Sequence, residues 1–346
     1  MYFELAPKEN KEDFFNHENE YFELKNAIKR KDPIIAVLGV RRVGKTSLLN
    51  ILYHETKTLK LWIDGRMIQN PKIEIPLMIN EVIETKKSKI FGRIEGLSVS
   101  AFGFGVGIKT TNTLEYTTLK KKIESLGGIT VFIDEVQRID NKSISDLLSY
   151  FYDKLPKISF VLSGSEVGLV EEILGEQDGT HPLYGRHITK IIMKRFDKNG
   201  SFSFLQSGFQ QIDVPISTRE LKEVINELDG LVGWLTLYGY KKGFVKDPNA
   251  LKETIKLASQ IVAGEIENFL KNRKDRRLYI LILQNASAPI TWTELKLRVE
   301  KNYKKQINSN TFSFALSELA KYSFIENTLD GYKICDPILF NAVMQV

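Results

Sequence analysis

A short glycine-rich stretch carries the clearest chemical signal in this sequence. Its eight residues read GVRRVGKT and fit the pattern G-x-x-x-x-G-K-[ST]. In this pattern, glycines let backbone N–H groups turn toward phosphate oxygens, and the following helix points its positive end at the same anion. The lysine reaches the β- and γ-phosphates, and the hydroxyl of the last residue ligates Mg²⁺. The residues predicted to bind a nucleotide are Gly39, Val40, Arg41, Arg42, Val43, Gly44, Lys45, Thr46 and Ser47, with Thr46 also a metal ligand.

Two carboxylates follow an apolar run further along the chain. Residues 129–134 read ITVFID, and Glu135 comes next. A strand that ends in aspartate beside a phosphate-binding loop can hold Mg²⁺, so Asp134 is predicted to lie on the metal side. Glu135 is placed to orient or deprotonate an attacking water. A buried strand can also end in Asp-Glu only to solvate its loop, and the glycine-rich stretch is what favours the catalytic interpretation.

Two further side chains are candidates for contact with the γ-phosphate. Ser163 ends the apolar run 158–164, and the carboxyl ends of parallel strands share one edge of a sheet. It is therefore predicted to face the phosphate and report its presence, although Ser-Gly-Ser is also a common solvated turn. Arg186 stands in a loop, where an arginine can stabilise transition-state charge or can simply be a surface residue.

These side chains need a scaffold that brings several strand ends together. Short apolar runs that alternate with helical patterns predict an α/β fold, with a mostly parallel sheet covered by helices on both faces. Residues 96–108 are interpreted as a flexible hairpin or edge strand. The predicted strands are 33–39, 59–63, 129–134 and 158–164, and the predicted helices are 18–30, 76–92, 114–126 and 142–154. Residues 39–55 are predicted to turn from a loop into a further helix, and another helix is expected after the strand that ends at 164.

The pattern changes near residue 197. The helical period dominates from 200 to 272, and from 273 onward the sequence predicts three helices and a hairpin at Asp330-Gly331. That succession is typical of a winged helix-turn-helix, whose third helix enters a DNA major groove. The predicted domains are a P-loop ATPase domain (1–196), a helical lid subdomain (197–272) and a winged helix-turn-helix domain (273–346).

Charge is distributed unevenly along the 346 residues. The chain has 49 basic and 43 acidic side chains, and residues 271–310 alone carry ten basic and three acidic ones. This basic segment suits contacts to DNA phosphates, which give affinity without sequence information. The predicted third helix offers a single cation, Lys321, among its exposed positions Asn310, Thr311, Ser313, Ser317 and Lys321. A solvated basic face on a protein-interaction module is the alternative.

Other features narrow the class of protein. The single cysteine, Cys335, excludes an internal disulfide framework and a zinc site built on cysteines. No apolar run approaches the ~20 residues of a membrane helix, and the amino-terminal residues do not resemble a secretory signal. The sequence therefore predicts a soluble, cytoplasmic protein with no membrane partner.

Several stretches in this order resemble the archaeal-type ATPase family, a branch of the signal-transduction NTPases with many domains (STAND) that is related to the AAA+ proteins. The stretches are GVRRVGKTSLL, FIDEVQRI, FVLSGSEVGLV, PLYGR and LDGLVGWL. The resemblance implies a nucleotide-binding αβα domain, a helical lid and a winged helix. It also implies that Arg186 senses the nucleotide or the conformation, and that Gly233-Trp234-Leu235 begins a lid helix close to the nucleotide, which makes Trp234 a candidate contact.

The chain departs from that family in two places. The family usually has a proline in the Gly-x-Pro turn at the start of the lid helix, and this chain has none. Family members also usually carry Arg-Glu before the first helix, where this chain has His17-Glu18. We therefore predict that His17 is a local packing residue or a solvated one rather than a catalytic one.

Together these observations predict a slow, Mg²⁺-dependent ATPase that uses ATP and ADP to switch the position of its winged helix. The alternative is a nucleotide-gated DNA-binding or scaffolding protein with negligible turnover. A small-molecule kinase is less favoured, because Glu135 beside Asp134 suits hydrolysis better than transfer. GTP in place of ATP stays open, as do the oligomeric state and a protein partner.

Overall fold

A computed structural model describes residues 1–88, 116–175 and 178–345 of the chain. The hairpin or edge strand expected at 96–108 lies outside the described residues. Within these ranges, no helix is long and apolar enough to cross a membrane.

A five-stranded parallel sheet organises the first half of the chain, where the sequence predicted a mostly parallel sheet. The spatial order is β2-β3-β4-β1-β5, and every pair of neighbouring strands is parallel. Strand β4 therefore lies between β1 and β3, and the loops that follow these three strands meet at one edge. The strands are β1 (Ile34–Leu38), β2 (Leu59–Asp64), β3 (Ile129–Asp134), β4 (Ile158–Gly164) and β5 (Thr189–Ile192).

Strand β5 was not expected from the sequence. It has only four residues, TKII, and a run this short gives no clear period. It exists because it pairs with β1, where Leu38 lies beside Ile192. Tertiary pairing rather than local preference makes this segment a strand.

Helices cover both faces of the sheet. Side chains of β1 alternate between two apolar clusters: Ile35 and Val37 face one, and Ile34, Ala36 and Leu38 face the other. The helices of the first face are α1 (Glu18–Arg30) and α2 (Lys45–Glu55), and those of the second are α3 (Pro71–Ser88), α4 (Tyr116–Ser125), α5 (Asn141–Lys154) and α6 (Val167–Leu174).

Helix α3 begins five residues before the predicted start. The sequence predicted a helix over residues 76–92. The helix starts instead at Pro71, whose fixed φ suits a first helical position, and Pro76 lies inside it.

The second half is helical, ends in a hairpin, and follows the predicted order. The side chain of Thr291 caps α12 and that of Asn308 caps α13. A last short helix, α14, was not predicted. The elements are α7 (Lys198–Gln211), α8 (Thr218–Leu228), α9 (Val232–Gly243), α10 (Ala250–Leu270), α11 (Arg276–Asn285), α12 (Trp292–Tyr303), α13 (Ser309–Lys321), β6 (Ile325–Thr328), β7 (Gly331–Ile334) and α14 (Ile338–Val343).

We call α7–α10 the helical segment, and residues 276–343 the C-terminal module. The apolar cluster on the α1–α2 face continues through the helical segment into this module. The parts of the chain thus share one core across the boundaries predicted at 196 and 272.

Candidate nucleotide-binding site

Residues 39–46, which we call the phosphate loop, connect β1 to α2 at the carboxyl edge of the sheet. Gly44 immediately precedes α2 with a φ of +101°, a conformation that glycine adopts without steric cost. This turn directs the first backbone N–H groups of α2 toward the cavity beside the loop. Backbone donors and a helix amino terminus together form an anion-binding site.

Lys45 is buried inside this loop. Its Nζ donates hydrogen bonds to the backbone carbonyls of Gly39 and Val40, each at 2.8 Å. Burial lowers the pKa of Lys45 to about 8, although the nearby carboxylates Glu135 and Asp134 oppose that shift. The lysine is therefore a desolvated cation without a carboxylate bonded to it, as a phosphate ligand requires.

Thr46, Asp134 and Ser163 form a connected group at the ends of α2, β3 and β4. The Thr46 hydroxyl donates to the Asp134 carboxylate at 3.0 Å, and the buried Ser163 hydroxyl donates to the other oxygen of the same carboxylate. Burial raises the pKa of Asp134, and the two hydroxyl donors oppose this rise. Ser163 also accepts the backbone N–H of Glu135 at 3.3 Å, so it contacts both carboxylate residues.

The donor set at Thr46 and Asp134 fits Mg²⁺. One hydroxyl and one carboxylate are hard oxygen ligands, and Mg²⁺ usually takes one or two protein ligands and completes its shell with waters and phosphate oxygens. Among the described residues there is no cluster of three or more acidic, histidine or cysteine side chains that would form a metal cage. The arrangement therefore suits a metal that arrives with a nucleotide.

Glu135 is fixed by neighbours that sequence reasoning missed. Its backbone is left-handed, with a φ of +54°, a rare conformation for a residue with a side chain. Its carboxylate accepts hydrogen bonds from the Gln137 amide and from the Ser165 hydroxyl, the latter at 2.9 Å. Strain of this kind concentrates at functional sites. The run Ser-Gly-Ser after β4 was the available signal for Ser165, because it lies at the same sheet edge.

A cavity of about 600 Å³ lies over the phosphate loop. Its lining includes the polar side chains of Lys45, Thr46 and Glu135 together with aromatic and apolar side chains. A lining of this mixed character fits a phosphate chain joined to a flat base. The apolar lining includes Phe14, Phe15, Phe196, Phe204 and Val232.

The segment before α1 forms much of this cavity wall, which the sequence did not indicate. The Lys8 backbone N–H donates to the Ser47 hydroxyl at 3.0 Å, and the Asn50 side chain donates to the Lys8 carbonyl at 3.1 Å. His17 is buried in the wall, with its ring 5.6 Å from that of Phe14, and burial lowers its pKa. These contacts agree with the predicted packing role of His17.

The two arginines of the phosphate loop bond most closely to different carboxylates. Arg41 forms an ion pair with Glu166, which also pairs with Arg138 at 3.1 Å. Glu166 is buried, and burial raises its pKa against the opposing effect of the two arginines. Arg42 donates to Glu265 of α10 at 2.6 Å. Ion pairs thus connect the phosphate loop to the sheet edge and to the helical segment.

Trp234 reaches the phosphate loop without lining the cavity. The Arg42 guanidinium carbon lies 4.1 Å from the centre of the Trp234 ring, and the indole N–H donates to Asp336 at 2.9 Å. The residue before it, Gly233, lines the cavity and donates its backbone N–H to the Arg42 carbonyl at 3.0 Å. The start of α9 is therefore close to the loop, and Trp234 connects that loop to the C-terminal module.

Arg186 is not brought to the cavity. It comes before β5, and because β5 runs parallel to β1, this position is at the amino edge of the sheet. A five-residue strand separates the two edges by roughly 16 Å. Arg186 pairs there with Asp153 at 2.7 Å, which raises the pKa of the arginine.

In the folded chain, ion pairs with carboxylates offset part of the positive charge of the basic segment (residues 271–310). Two of its arginines pair with carboxylates outside it: Arg273 with Glu318, and Arg276 with Glu267. Lys296 and Arg298 pair with acidic side chains inside it. Within the described ranges, the lysines of the segment that form no ion pair are Lys271, Lys274, Lys301, Lys304 and Lys305.

Comparison with known proteins agrees with this geometry. Residues 14–237 match the family model of an ATPase domain predominantly from Archaea. A Walker-type ATPase of Pyrococcus abyssi aligns over 99% of this chain and 100% of its own, with a TM-score of 0.81 and 28% sequence identity. The RuvB Holliday junction branch migration motor of Thermotoga maritima covers 96% of each chain, with a TM-score of 0.45 and 13% identity. No curated protein matches the sequence.

Proposed function

Because the chain belongs to the family of ATPase domains found predominantly in archaea, we propose that it uses its ATPase activity, with Mg²⁺, to reposition the C-terminal module. The module is proposed to be a winged helix that follows the helical segment, which acts as a lid. The observation that carries this proposal is the contact set of Arg42, a phosphate-loop residue bonded to α10 and stacked on α9.

The hydrolytic roles follow from the hydrogen bonds at the sheet edge. Lys45 exchanges its two carbonyl partners for phosphate oxygens, and Thr46 and Asp134 would hold Mg²⁺, which neutralises phosphate charge. Glu135 orients a water and accepts its proton. The water oxygen bonds to the γ-phosphorus as the bond to the β-phosphate oxygen breaks, and ADP leaves with that electron pair. Ser163 keeps the Asp134 carboxylate and the backbone of Glu135 in place.

The proposed switch acts through the loop itself. The Arg42 carbonyl accepts from Gly233, and its side chain lies 3.8 Å from Asp336, which belongs to the C-terminal module. A phosphate chain that draws the loop inward therefore pulls on α9, α10 and the segment before α14 together. Binding energy at the loop becomes a change in the position of the module, provided that the two positions bind ATP with different affinity.

Two exposed labels can test this movement. Lys57→Cys lies on the ATPase side, and Leu329→Cys lies at the fully exposed tip of the β6–β7 hairpin. The native Cys335 can stay, because it is buried and burial raises the pKa of its thiol to about 12, which suppresses labelling.

We expect the distance between the labels to differ between ADP and ATP, the latter held by Glu135→Gln. Adding Lys45→Ala should remove the response. Equal distances without nucleotide, with ADP and with ATP would contradict the switch, whatever the rate of phosphate release.

A nucleotide-gated DNA contact is the second candidate. Lys301, Lys304 and Lys305 are exposed near the end of α12 and form no ion pair with any described residue. Such cations suit DNA phosphates. If they bind DNA, retention should fall steeply with salt, differ among ATP, ADP and no nucleotide, and be lost when the three lysines become glutamine. The control is Arg276→Gln, whose guanidinium is already paired with Glu267.

A further inference from the structure

The position of Arg186 leaves open which arginine serves the γ-phosphate within one chain. Four described arginines line the cavity: Arg41, Arg42, Arg66 and Arg138. Two of them, Arg66 and Arg42, are bonded to groups other than Glu166. Arg66 is bound to Asp64 through several hydrogen bonds and is largely exposed, and Arg42 is stacked on Trp234.

Arg41 is the best placed of the remaining pair. It belongs to the loop that surrounds the phosphates, it is only 20% exposed, and its charge acts on that of Lys45. Arg138 lies outside the loop and is 46% exposed. A desolvated guanidinium beside the phosphate-binding lysine stabilises charge far better than one in water.

The partner of Arg41 lies next to the catalytic carboxylate. Glu166 directly follows Ser165, whose hydroxyl holds Glu135, and the negative charge of Glu135 contributes to the raised pKa of Glu166. The Arg41 guanidinium is therefore held on the same wall as the group that orients the water.

Glu166 pairs with a second arginine, Arg138, and this lowers the cost of releasing Arg41 to the γ-phosphate. When Arg41 turns away, Arg138 stays paired with Glu166 at 3.1 Å. A buried carboxylate left without a partner is strongly destabilising, and the pair with Arg138 avoids that cost here. The γ-phosphate then competes with only one of the two partners of Glu166.

We propose that Arg41 is a catalytic residue of this ATPase: it moves from Glu166 to the γ-phosphate and neutralises the charge that develops as the bond to the β-phosphate oxygen breaks. Glu166 is the positioning residue that holds Arg41 at the wall when no terminal phosphate is bound. The inference rests on the ATPase activity but not on movement of the C-terminal module. The proposed movement would also withdraw Arg41 Nε from Glu265 of α10, 3.7 Å away.

Arg41→Gln tests the proposal by separating chemistry from binding. An arginine in this role contributes roughly 10³-fold to kcat, so we expect a loss of about that size. Affinity for ADP, which has no γ-phosphate, should change less than threefold. Affinity for ADP with aluminium fluoride, which resembles the transition state, should fall in parallel with kcat. Arg41→Lys should recover part of the rate, and Arg186→Gln should keep the wild-type rate.

Two results would overturn the inference. One is an Arg41→Gln rate within threefold of the wild type. The other is an equal loss of ADP affinity and turnover, which would show that Arg41 only maintains the loop. A melting temperature and a circular dichroism spectrum like those of the wild type establish that the variant is folded, and Arg41→Lys provides the same kinetic comparison if it is not. If the distance between the labels at positions 57 and 329 did not change with nucleotide, the switch would be contradicted. The kinetic result for Arg41→Gln would be unaffected.

Discussion

At the scale of single residues, the site is defined by charged groups that are buried before any ligand arrives. Lys45 bonds to two loop carbonyls, and Asp134 bonds to two hydroxyls. Each is held in its position by neutral partners that phosphate and metal can replace or join. The consequence is that ligand binding changes protonation as well as contacts.

Binding of ADP should be coupled to proton uptake by Lys45. The pKa of this lysine is about 8 in the free protein, and nearby phosphate raises it again. Affinity should therefore be constant well below pH 8 and fall by up to about tenfold per pH unit above it. Titration calorimetry near pH 8.5, in two buffers of different ionisation enthalpy, measures the uptake directly. Lys45→Arg keeps its charge and should show none, and an equal uptake in that variant would assign the proton to another group.

Two buried serines of β4 provide a matched test of the carboxylate pair. Ser163 donates to Asp134 at the carboxyl edge, while Ser159 donates to the Asp32 carbonyl at the amino edge. Replacing either by alanine should lower the free energy of unfolding by about 1–3 kcal/mol, since each change removes a hydrogen bond donated to a buried oxygen. We expect kcat to fall about tenfold or more only for Ser163→Ala, because a hydrogen bond to a charged group is lost there. Equal rates would show that Ser163 is structural only.

At the scale of elements, α6 and α13 join the ATPase part to the C-terminal module. The Val167 backbone N–H donates to the Ser323 hydroxyl at 3.0 Å, and Lys321 pairs with Glu172 at 2.6 Å. Gly168 lies so close that a Cβ there would be 2.6 Å from the Lys321 Cα. Lys321, expected to face DNA, is thus engaged within the chain.

Gly168→Ala should weaken this junction. The added methyl group meets backbone, which must move, and overpacking of this kind costs about 1–3 kcal/mol of stability. The matched control is Gly264→Ala on α10, where nothing lies within 4 Å of the added carbon. That change should stabilise the protein by about 0.5–1 kcal/mol, because alanine favours the helix. Denaturant unfolding measures the free energy of unfolding of both variants. If Gly264→Ala were also destabilised, the effect of Gly168→Ala could not be assigned to the junction with Lys321.

At the scale of the whole molecule, one continuous apolar cluster crosses the domain boundaries predicted at 196 and 272. The parts on either side of these boundaries should therefore depend on each other for stability. Side chains from α1, from the helical segment and from the C-terminal module belong to the same cluster. Independent domains normally have separate cores. The chain should therefore unfold as a unit despite its length.

Calorimetry should show one unfolding transition whose measured enthalpy equals the van't Hoff enthalpy. ADP at about 100 times its dissociation constant should stabilise that entire transition by roughly 2.7 kcal/mol. Two resolved peaks, with only one shifted by ADP, would contradict the shared core. The same scan of Lys45→Ala identifies any shift that does not depend on the phosphate loop.

The sequence was sufficient for those parts of the site that follow from strand periodicity. Because parallel strands end at one edge, the placement of Lys45, Asp134 and Ser163 near one another could be predicted. The pairing of β5 and the contacts of Glu166 could not, since both depend on distant partners. The place of Arg186 at the opposite edge of the sheet could not be predicted either, because a loop sequence does not indicate at which edge the loop lies.

The segment before α1 has one more role, which concerns Phe3. Its ring is buried against Phe209 of α7, 4.8 Å between ring centres, while Lys8 a few residues later is bonded to α2. One end of this short strap is thus fastened to the helical segment and the other to the wall of the nucleotide cavity. Only four residues separate Phe3 from Lys8, so if the helical segment opens as the proposed lid, it must carry the cavity wall with it. In that proposed movement, the amino-terminal residues would couple the angle of the helical segment to the width of the cavity.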